Sequence, residues 1–445
     1  MAHYMADWHR GELMFVHGEG WYAWNTKHWE KDETGQANRI AQETLKRAWT
    51  EAFELPEADK KVLLSDIRKC NGTANGIGGM LKQASAELAF ARRVKQLDAD
   101  PWLLNVANAT LDLHTLKQSK HNPADCITAI TNAAYKPGEV KPGLWAEVLE
   151  RVLPDEDVRR FLQRVVGVSL IGKIHEHIFV ILYGQGRNGK NVVYEAIMHA
   201  LGDYAITADP ELLRHREMGT AHPTNKMDLR GKRFAVVNET EENVRINVPL
   251  LKSLTGDAYI KARWMRGNFE EFTASQTMFM VTNHLPVMKS TESAAWERIY
   301  VVPFEVYIPL DERDPNLGEK LKLCADEILA WAIQGLKDYM ENGLNAPAAV
   351  LKSTQGYQAD NDEVMKFIED ECLAGADAGM VAEHWDSTEP LHVHYCAWRY
   401  RSGMRGTALG RKQFGKELDR LGYPVKSGGS KPRQGLKIRP KEETA

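Results

Sequence analysis

Residues 183–191 read YGQGRNGKN. Gly184, four further residues, then Gly189 and Lys190 is the spacing of a loop that wraps backbone N–H groups around phosphates, its lysine reaching the β- and γ-phosphates. The candidate cradle is Gly184, Gly186, Asn188, Gly189, Lys190 and Asn191. Asn191 stands where such loops normally carry the Ser or Thr that ligates magnesium. An amide oxygen is also a hard donor, at a different reach, so weakened metal affinity is expected rather than a dead site. The competing reading is an ordinary glycine-rich turn between a strand and a helix. Against it, the loop follows the apolar run IFVILY and opens the helical text VVYEAIMHAL, which aims a helix N-terminus at the bound anion.

Hydrolysis of a bound ATP needs a carboxylate to polarise water. RFAVVNETEE supplies one: apolar residues and then Asn238 and Glu239, at the strand end where open α/β sheets hold ligands. Glu239 is the expected general base and, with Asn191, the expected hold on Mg2+ carried by ATP. Glu241 and Glu242 fit a solvated acidic turn better. MFMVTNH ends in Thr282 and Asn283, and Asn283 is placed to bond the γ-phosphate or orient the lytic water. Arg298, before the apolar run IYVV, is either a structural ion-pair partner or a guanidinium that enters a neighbouring subunit's site.

The elements that must carry these residues follow from the apolar pattern. Short runs at 178–183, 234–237, 278–281 and 299–302, separated by helical stretches, imply an α/β layer with a largely parallel sheet. Residues 145–172 are helical in spacing. Before about Pro142 the text is mixed: a hairpin around Gly18 and Gly20, helical spacing over 36–53 and 79–97, and strands in LLNVANATLDLHT. Trp21, Trp24 and Trp29 are expected in a small core, not on a base-stacking face. With 445 residues, 43% apolar and 27% charged, the chain is of ordinary globular composition, which excludes disordered and fibrous classes. Its longest apolar run, 178–183, is far short of a membrane span, and the N-terminus has no signal-peptide pattern. A cytoplasmic protein without membrane partners is expected. The five cysteines form no C-x-x-C pair and are read as reduced and structural.

The order and spacing of the motifs resemble those of the superfamily 3 helicases, a ring-forming branch of the AAA+ ATPases. GQGRNGK, GKRFAVVNETEE, LLKSLTGDAYIKAR, VTNHLP and AAWERIYVVPF look most like the phage, plasmid and poxvirus primase-helicase family. PWLLNVANATLDLHT and FLQRVVGVSLIG resemble the domain that precedes these helicases, and 389–437 their C-terminal winged helix. The resemblance implies an AAA+-type P-loop core with an N-terminal α+β helicase-associated domain (1–142), an ATPase domain with a leading helical collar (143–345), a connector helix (346–372) and a winged-helix domain (373–445). It makes Lys190 the phosphate lysine, Glu239 the Walker B carboxylate, Asn283 the sensor and Arg298 the arginine finger. It places Lys252, Lys261, Arg263 and Arg266 in a region whose hairpin grips DNA in the ring channel; positive charge beside Trp264 suits backbone contact with stacking. Since the chain begins near the helicase-associated domain, with no room for the polymerase-like primase module of many relatives, primer synthesis is not expected.

The net charge of −4 hides an asymmetry. Between Ala397 and Lys441 there are thirteen Lys or Arg against Glu417 and Asp419, the clustering that attracts phosphate backbones. RKQFGKELDRLGY reads as an amphipathic helix and KSGGSKPRQGLKIRP as a wing with a short strand, with Arg411, Lys412, Lys416, Lys431 and Arg433 as candidate DNA contacts. In HVHYC, His392 and Cys396 share one helical face, which fits a helix of this module better than a metal site. The whole reads as an ATP- and Mg2+-dependent helicase of phage or mobile-element replication, homohexameric, acting on single-stranded or forked DNA, with a separate primase or polymerase as a further partner. The rivals are a replication initiator or DNA-loading scaffold that binds ATP with little hydrolysis and, far behind, a small-molecule P-loop kinase.

Overall fold

The computed structural model describes residues 1–445 other than 71–73, 139–141, 216–222, 240, 243, 266, 289–292, 375–384, 405–406, 426–431 and 440–445, and without the side chains of 223 and 293. The first part is mixed α and β, with α1 (Ala2–Trp8), β1 (Leu13–Val16), β2 (Gly20–Trp24), β3 (Trp29–Lys31), α2 (Gln36–Ala52), α3 (Glu57–Cys70), α4 (Ala74–Ala84) and β4 (Ala91–Arg92). The expected hairpin is β1 against β2, Leu13 facing Ala23 and Val16 facing Gly20. Its turn needs glycines, since Gly18 and Gly20 hold φ of 89° and 103°. The tryptophans pack inward: Trp21 lies edge-on to Phe15 and Phe90, and the Trp29 indole donates to the Pro123 carbonyl at 2.9 Å.

Helix α2 buries Ile40, Ala41, Leu45 and Ala48 on one stripe, as its spacing predicts. The helical text over 79–97 does not continue as one helix. The chain leaves α4 after Ala84 so that Phe90 is fully buried, and Ala91 and Arg92 then pair with Phe15 and Val16. Helix α3 carries little periodic signal, because only Leu63 and Ile67 of its 14 residues are buried.

A three-stranded antiparallel sheet follows, β5 (Leu103–Val106), β6 (Ala109–Asp112) and β7 (Gln118–Ser119). Its Leu104, Val106 and Leu111 share one hydrophobic cluster with Trp145, Phe161 and the central sheet, so no break in packing coincides with residue 142. The collar is two helices, α5 (Leu144–Val152) and α6 (Glu156–Val168). Pro154 ends the first, and the Asp155 carboxylate caps the second by accepting from the N–H groups of Asp157 and Val158.

The central elements are β8 (Phe179–Tyr183), α7 (Lys190–Leu201), β9 (Ala205–Ala208), α8 (Pro223–Met227), β10 (Phe234–Glu239), α9 (Val248–Leu254), β11 (Tyr259–Ala262), β12 (Glu270–Thr273), β13 (Thr277–Thr282), α10 (Ser293–Trp296) and β14 (Ile299–Pro303). Five of the strands form a sheet in the order β14-β8-β13-β10-β9, every neighbouring pair parallel. Phe179, Val180, Ile181, Ala235, Val236, Val237, Phe279 and Val301 are essentially unexposed, which is why these strands read as continuous apolar runs. The edge strand β9 is the one the text conceals, since AITA is short and only half-buried. Among the described residues no helix is long and apolar enough to cross a membrane.

After β14 come α11 (Leu317–Lys322), α12 (Ala325–Asn342) and α13 (Ala348–Asn361), then α14 (Glu363–Glu371), β15 (Cys372–Ala374), α15 (Thr388–Arg401), α16 (Arg411–Arg420) and β16 (Leu436–Ile438). The expected connector helix over 346–372 is two helices. Helix α13 belongs to the central unit, its Tyr357 buried beside Trp296 and its Thr354 hydroxyl accepting from Val301 N–H at 3.0 Å. The Asp362 side chain caps α14, whose Val364, Phe367 and Ile368 belong to the C-terminal core with Leu391, Tyr395, Trp398, Phe414 and Leu418. Strands β15 and β16 pair antiparallel beside it.

Candidate functional site

Register decides what meets what. Tyr183, Thr282 and Glu239 lie opposite one another on β8, β13 and β10, so these strands end in one row along the C-terminal edge of the sheet. The glycine-rich loop therefore begins beside Asn283 and one strand away from Glu239.

The loop is shaped by positive-φ residues, Gly186 at 90°, Arg187 at 56° and Gly189 at 81°. A side chain on Gly184 would strike the Phe304 carbonyl, and one on Gly189 would strike Val152. The side chain of Asn188, 3% exposed, donates to the Phe304 carbonyl at 2.9 Å. Arg187 accepts from Ile308 N–H at 2.9 Å through its carbonyl. The loop is thus sewn to the chain that leaves β14. Lys190 opens α7 with its side chain folded into the loop, Nζ donating to Gly184 O at 2.5 Å, Asn188 Oδ1 at 3.2 Å and Asn283 Oδ1 at 3.0 Å. Three neutral oxygens surround this cation, and burial pushes it down to about 8 from 10.5. An anion would relieve that cost, so the cradle fits a phosphate.

Glu239 is 4% exposed. Its Oε2 lies 2.9 Å from Arg214 Nη2, and its Oε1 accepts from Glu241 N–H at 3.0 Å. Arg214 also reaches Glu211 at 2.9 Å and Glu241 at 3.1 Å. Nothing local in LLRHRE marks Arg214 as a partner of the site, because Glu239 and Glu241 reach it through the tertiary fold. Asn191 is exposed on the first turn of α7. Asn238, next to Glu239, donates to the Tyr194 hydroxyl at 3.3 Å. Among the described residues no group of three or more His, Cys, Asp or Glu is arranged to hold a metal ion.

Arg298 is elsewhere. It precedes β14, its carbonyl accepting from Phe179 N–H, so it lies at the N-terminal edge, opposite the loop. Its Nη1 donates to Lys252 O and to Thr255 Oγ1, both at 3.0 Å. Lys252 itself is partly buried on α9 and not on the hairpin. The hairpin β11–β12 carries Lys261 and Arg263, whose cations lie 5.8 and 4.8 Å from the Phe269 ring centroid, with Trp264 and Met265 exposed at its tip. Arg266 lies outside the described residues. Arg230, which the sequence reading missed, bridges Glu19 of the first unit and Glu270, the first residue of β12 at the loop end of the hairpin.

On α16, Lys412 and Lys416 are exposed, as is Arg411, which pairs with Glu389 at 3.0 Å. Lys431 and the expected wing at 426–431 lie outside the described residues. Arg433 is not a surface contact. It is 4% exposed, and its guanidinium binds Thr388 Oγ1, Asp419 and the Tyr423 carbonyl, because the C-terminal core closes over it. His392 meets the Leu409 carbonyl at 2.7 Å and His394 meets Glu371 at 2.6 Å, while Cys396 lies one turn from His392 on the same face.

Comparison with known proteins adds family context. Residues 2–166 match the family model described as "D5 N terminal like", and residues 182–298 match a family of unknown function (DUF5906). The "Putative helicase L207/L206" of Acanthamoeba polyphaga mimivirus is 24% identical over 358 residues, covering 76% of this chain and 36% of that protein. The "Putative helicase 022R" of Frog virus 3 is 28% identical over 275 residues, covering 54% and 27%. The "Putative primase C962R" of African swine fever virus is 25% identical over 230 residues, covering 50% and 24%. The chain thus spans between a quarter and two-fifths of the length of these relatives. The apo NrS-1 C-terminal region aligns over 96% of both chains at 10% identity and a TM-score of 0.48, too distant to carry an argument. The D5-type N-terminal match and the viral helicase and primase relatives support a primase-helicase family of the phage and poxvirus type.

Proposed function

We propose that this protein is an ATP-dependent, ring-forming DNA helicase or translocase of the superfamily 3 type, acting in replication of a phage, virus or mobile element. The observation that carries the reading is that Lys190, at the close of the loop after β8, meets Asn283 after β13, with Glu239 at the end of β10 on the same sheet edge. In this reading 143–345 works as an AAA+-type P-loop core, 1–142 as its helicase-associated domain, and the module from α14 onward as a winged helix that binds DNA.

The phosphates of ATP would lie along Gly184–Lys190, exchanging the lysine's three oxygen partners for anionic ones. Mg2+ entering with the nucleotide would be held by Asn191 and Glu239 and would neutralise charge on the β- and γ-phosphates. Glu239 would accept the proton of the attacking water, and Asn283 would hold that water or the γ-phosphate. Arg298, at the opposite edge of its own sheet, would serve the site of a neighbouring subunit in a homohexamer. The hairpin with Lys261 and Arg263 would follow the backbone of single-stranded or forked DNA. A base-pair step costs about 1.4 kcal/mol on average to open, within reach of a motor driven by ATP. A separate primase or polymerase would supply synthesis.

Two features favour a second reading, an ATP-binding initiator or scaffold with little turnover: the amide at 191 and the ion-paired state of Glu239. Magnesium-dependent ATP hydrolysis, with and without single-stranded DNA, separates the two. Turnover stimulated by DNA and reduced roughly 10²-fold or more in Glu239→Gln supports the motor. Absence of turnover in the natural protein, restored by Asn191→Thr, supports the scaffold.

A further inference from the structure

Beside the loop, on the Asn283 side, a cavity of about 570 Å3 is lined by Tyr183, Gln185, Glu242, Asn283, His284 and Leu285. Tyr183 ends β8, Gln185 belongs to the loop, Glu242 follows β10, and the other three follow β13. The cavity therefore opens where the far end of a phosphate chain threaded through the loop would emerge. Of its lining side chains among the described residues His284 alone is basic, and the catalytic scheme above leaves it without a task.

The backbone under His284 is fixed. Thr282 Oγ1 donates to the His284 carbonyl at 2.7 Å and accepts from His284 N–H at 3.1 Å. This closed turn presents two consecutive side chains to one cavity. Asn283 reaches Lys190, and the His284 imidazole stands with Nε2 3.5 Å from Glu242 Oε1. That separation is too long for a strong hydrogen bond, so the ring is held loosely. Glu242 also brings a negative charge to the lining, an unfavourable neighbour for an incoming phosphate.

Resting on the nucleotide reading above, we infer that His284 and Glu242 discriminate a nucleoside triphosphate from a diphosphate. The terminal phosphate replaces Glu242 as partner of the His284 Nε2–H, and the displaced carboxylate turns to solvent, where it is already largely exposed at 69%. A diphosphate, ending within the loop, does not reach the ring.

The two side chains then act with opposite sign, and binding of AMP-PNP and ADP in the presence of Mg2+ tests this on the full-length protein. His284→Ala should weaken AMP-PNP about tenfold or more, the value of a hydrogen bond to a charged group, and leave ADP within about twofold. Glu242→Gln should leave AMP-PNP binding equal or tighter. His284→Gln, which retains an N–H donor, should keep most of the preference for AMP-PNP and serves if the Ala variant folds poorly. Equal weakening of both nucleotides by His284→Ala, identical behaviour of the Ala and Gln variants, or weaker AMP-PNP binding in Glu242→Gln overturns the inference. A natural protein that binds neither nucleotide defeats the nucleotide reading as well, an outcome distinct from any of these.

Discussion

The Glu239 carboxylate and the Arg214 guanidinium, 25 residues apart in the chain, lie 2.9 Å apart at the C-terminal edge of the central sheet. Arg214 binds two further carboxylates, Glu211 and Glu241, and so gathers the acidic groups of this edge around one cation. Arg214→Ala strands a carboxylate that is 4% exposed. The expected loss of stability is about 1–3 kcal/mol, the cost of a buried polar group without its partner. Urea unfolding of the variant beside the natural protein reads this directly. Arg214→Lys, with one compact charge instead of a fork, should recover part of it.

Lys190 sets a pH dependence in the ligand-free protein. Its folded-state value of about 8 lies below the 10.5 of the free side chain. Between these limits the unfolded chain binds more protons than the folded one, so the group's contribution to stability rises with pH across that window and is absent below pH 8. The natural protein should therefore gain on Lys190→Met from pH 8 to 10.5, measured as the difference in unfolding free energy. A flat difference would exclude a buried ammonium held by neutral oxygens alone.

Helices α6 and α12 cross at their glycines. A Cβ on Gly167 would press into the backbone of Gly335 and Leu336, and one on Gly335 into Gln163. Alanine at a helix interior normally gains about 1 kcal/mol over glycine. Here the overpacking cost of roughly 1–3 kcal/mol should outweigh it. Thermal melts of Gly167→Ala and Gly335→Ala should both move down, and an upward shift in either would mean the crossing tolerates a methyl group.

The C-terminal module separates two kinds of arginine and lysine. Arg433→Ala removes bonds to Thr388, Asp419 and Tyr423 from inside the core and should unfold or loosen the module, seen as lost near-UV dichroism or faster proteolysis. Lys412→Ala and Lys416→Ala remove exposed charges and should leave the fold unchanged. If these side chains meet DNA phosphates, the slope of log affinity against log salt should flatten by close to one for each. An unchanged slope removes α16 from the DNA interface.

Much of the central sheet was legible in the text, because parallel strands buried on both faces write themselves as apolar runs. The loop was legible from its glycine spacing. The hairpin at residues 13–24 was likewise announced by alternation around Gly18 and Gly20. Other elements left weak marks. Helix α3 buries too few residues to print a period, β9 is a half-buried edge, and the text over 79–97 kept a helical pattern while Phe90 drew the chain into the core. The break at Asp362 was hidden because α13 and α14 read as one continuous helical stretch, although they pack in different cores.

Local pattern alone determined that a strand, a glycine loop and a helix stand in succession, and that Glu239 and Asn283 sit at strand ends, since backbone sterics and burial period act over a few residues. Tertiary structure decided which charges are spoken for. Arg433 looked like a DNA contact and is core, Arg214 looked like nothing and holds Glu239, and Arg298, expected as an ion-pair partner or as an arginine for a neighbouring subunit's site, lies at the sheet edge opposite the loop of its own chain. A side chain's partners are set by strand order and register, interactions between residues tens of positions apart, and composition within any short window carries no record of them.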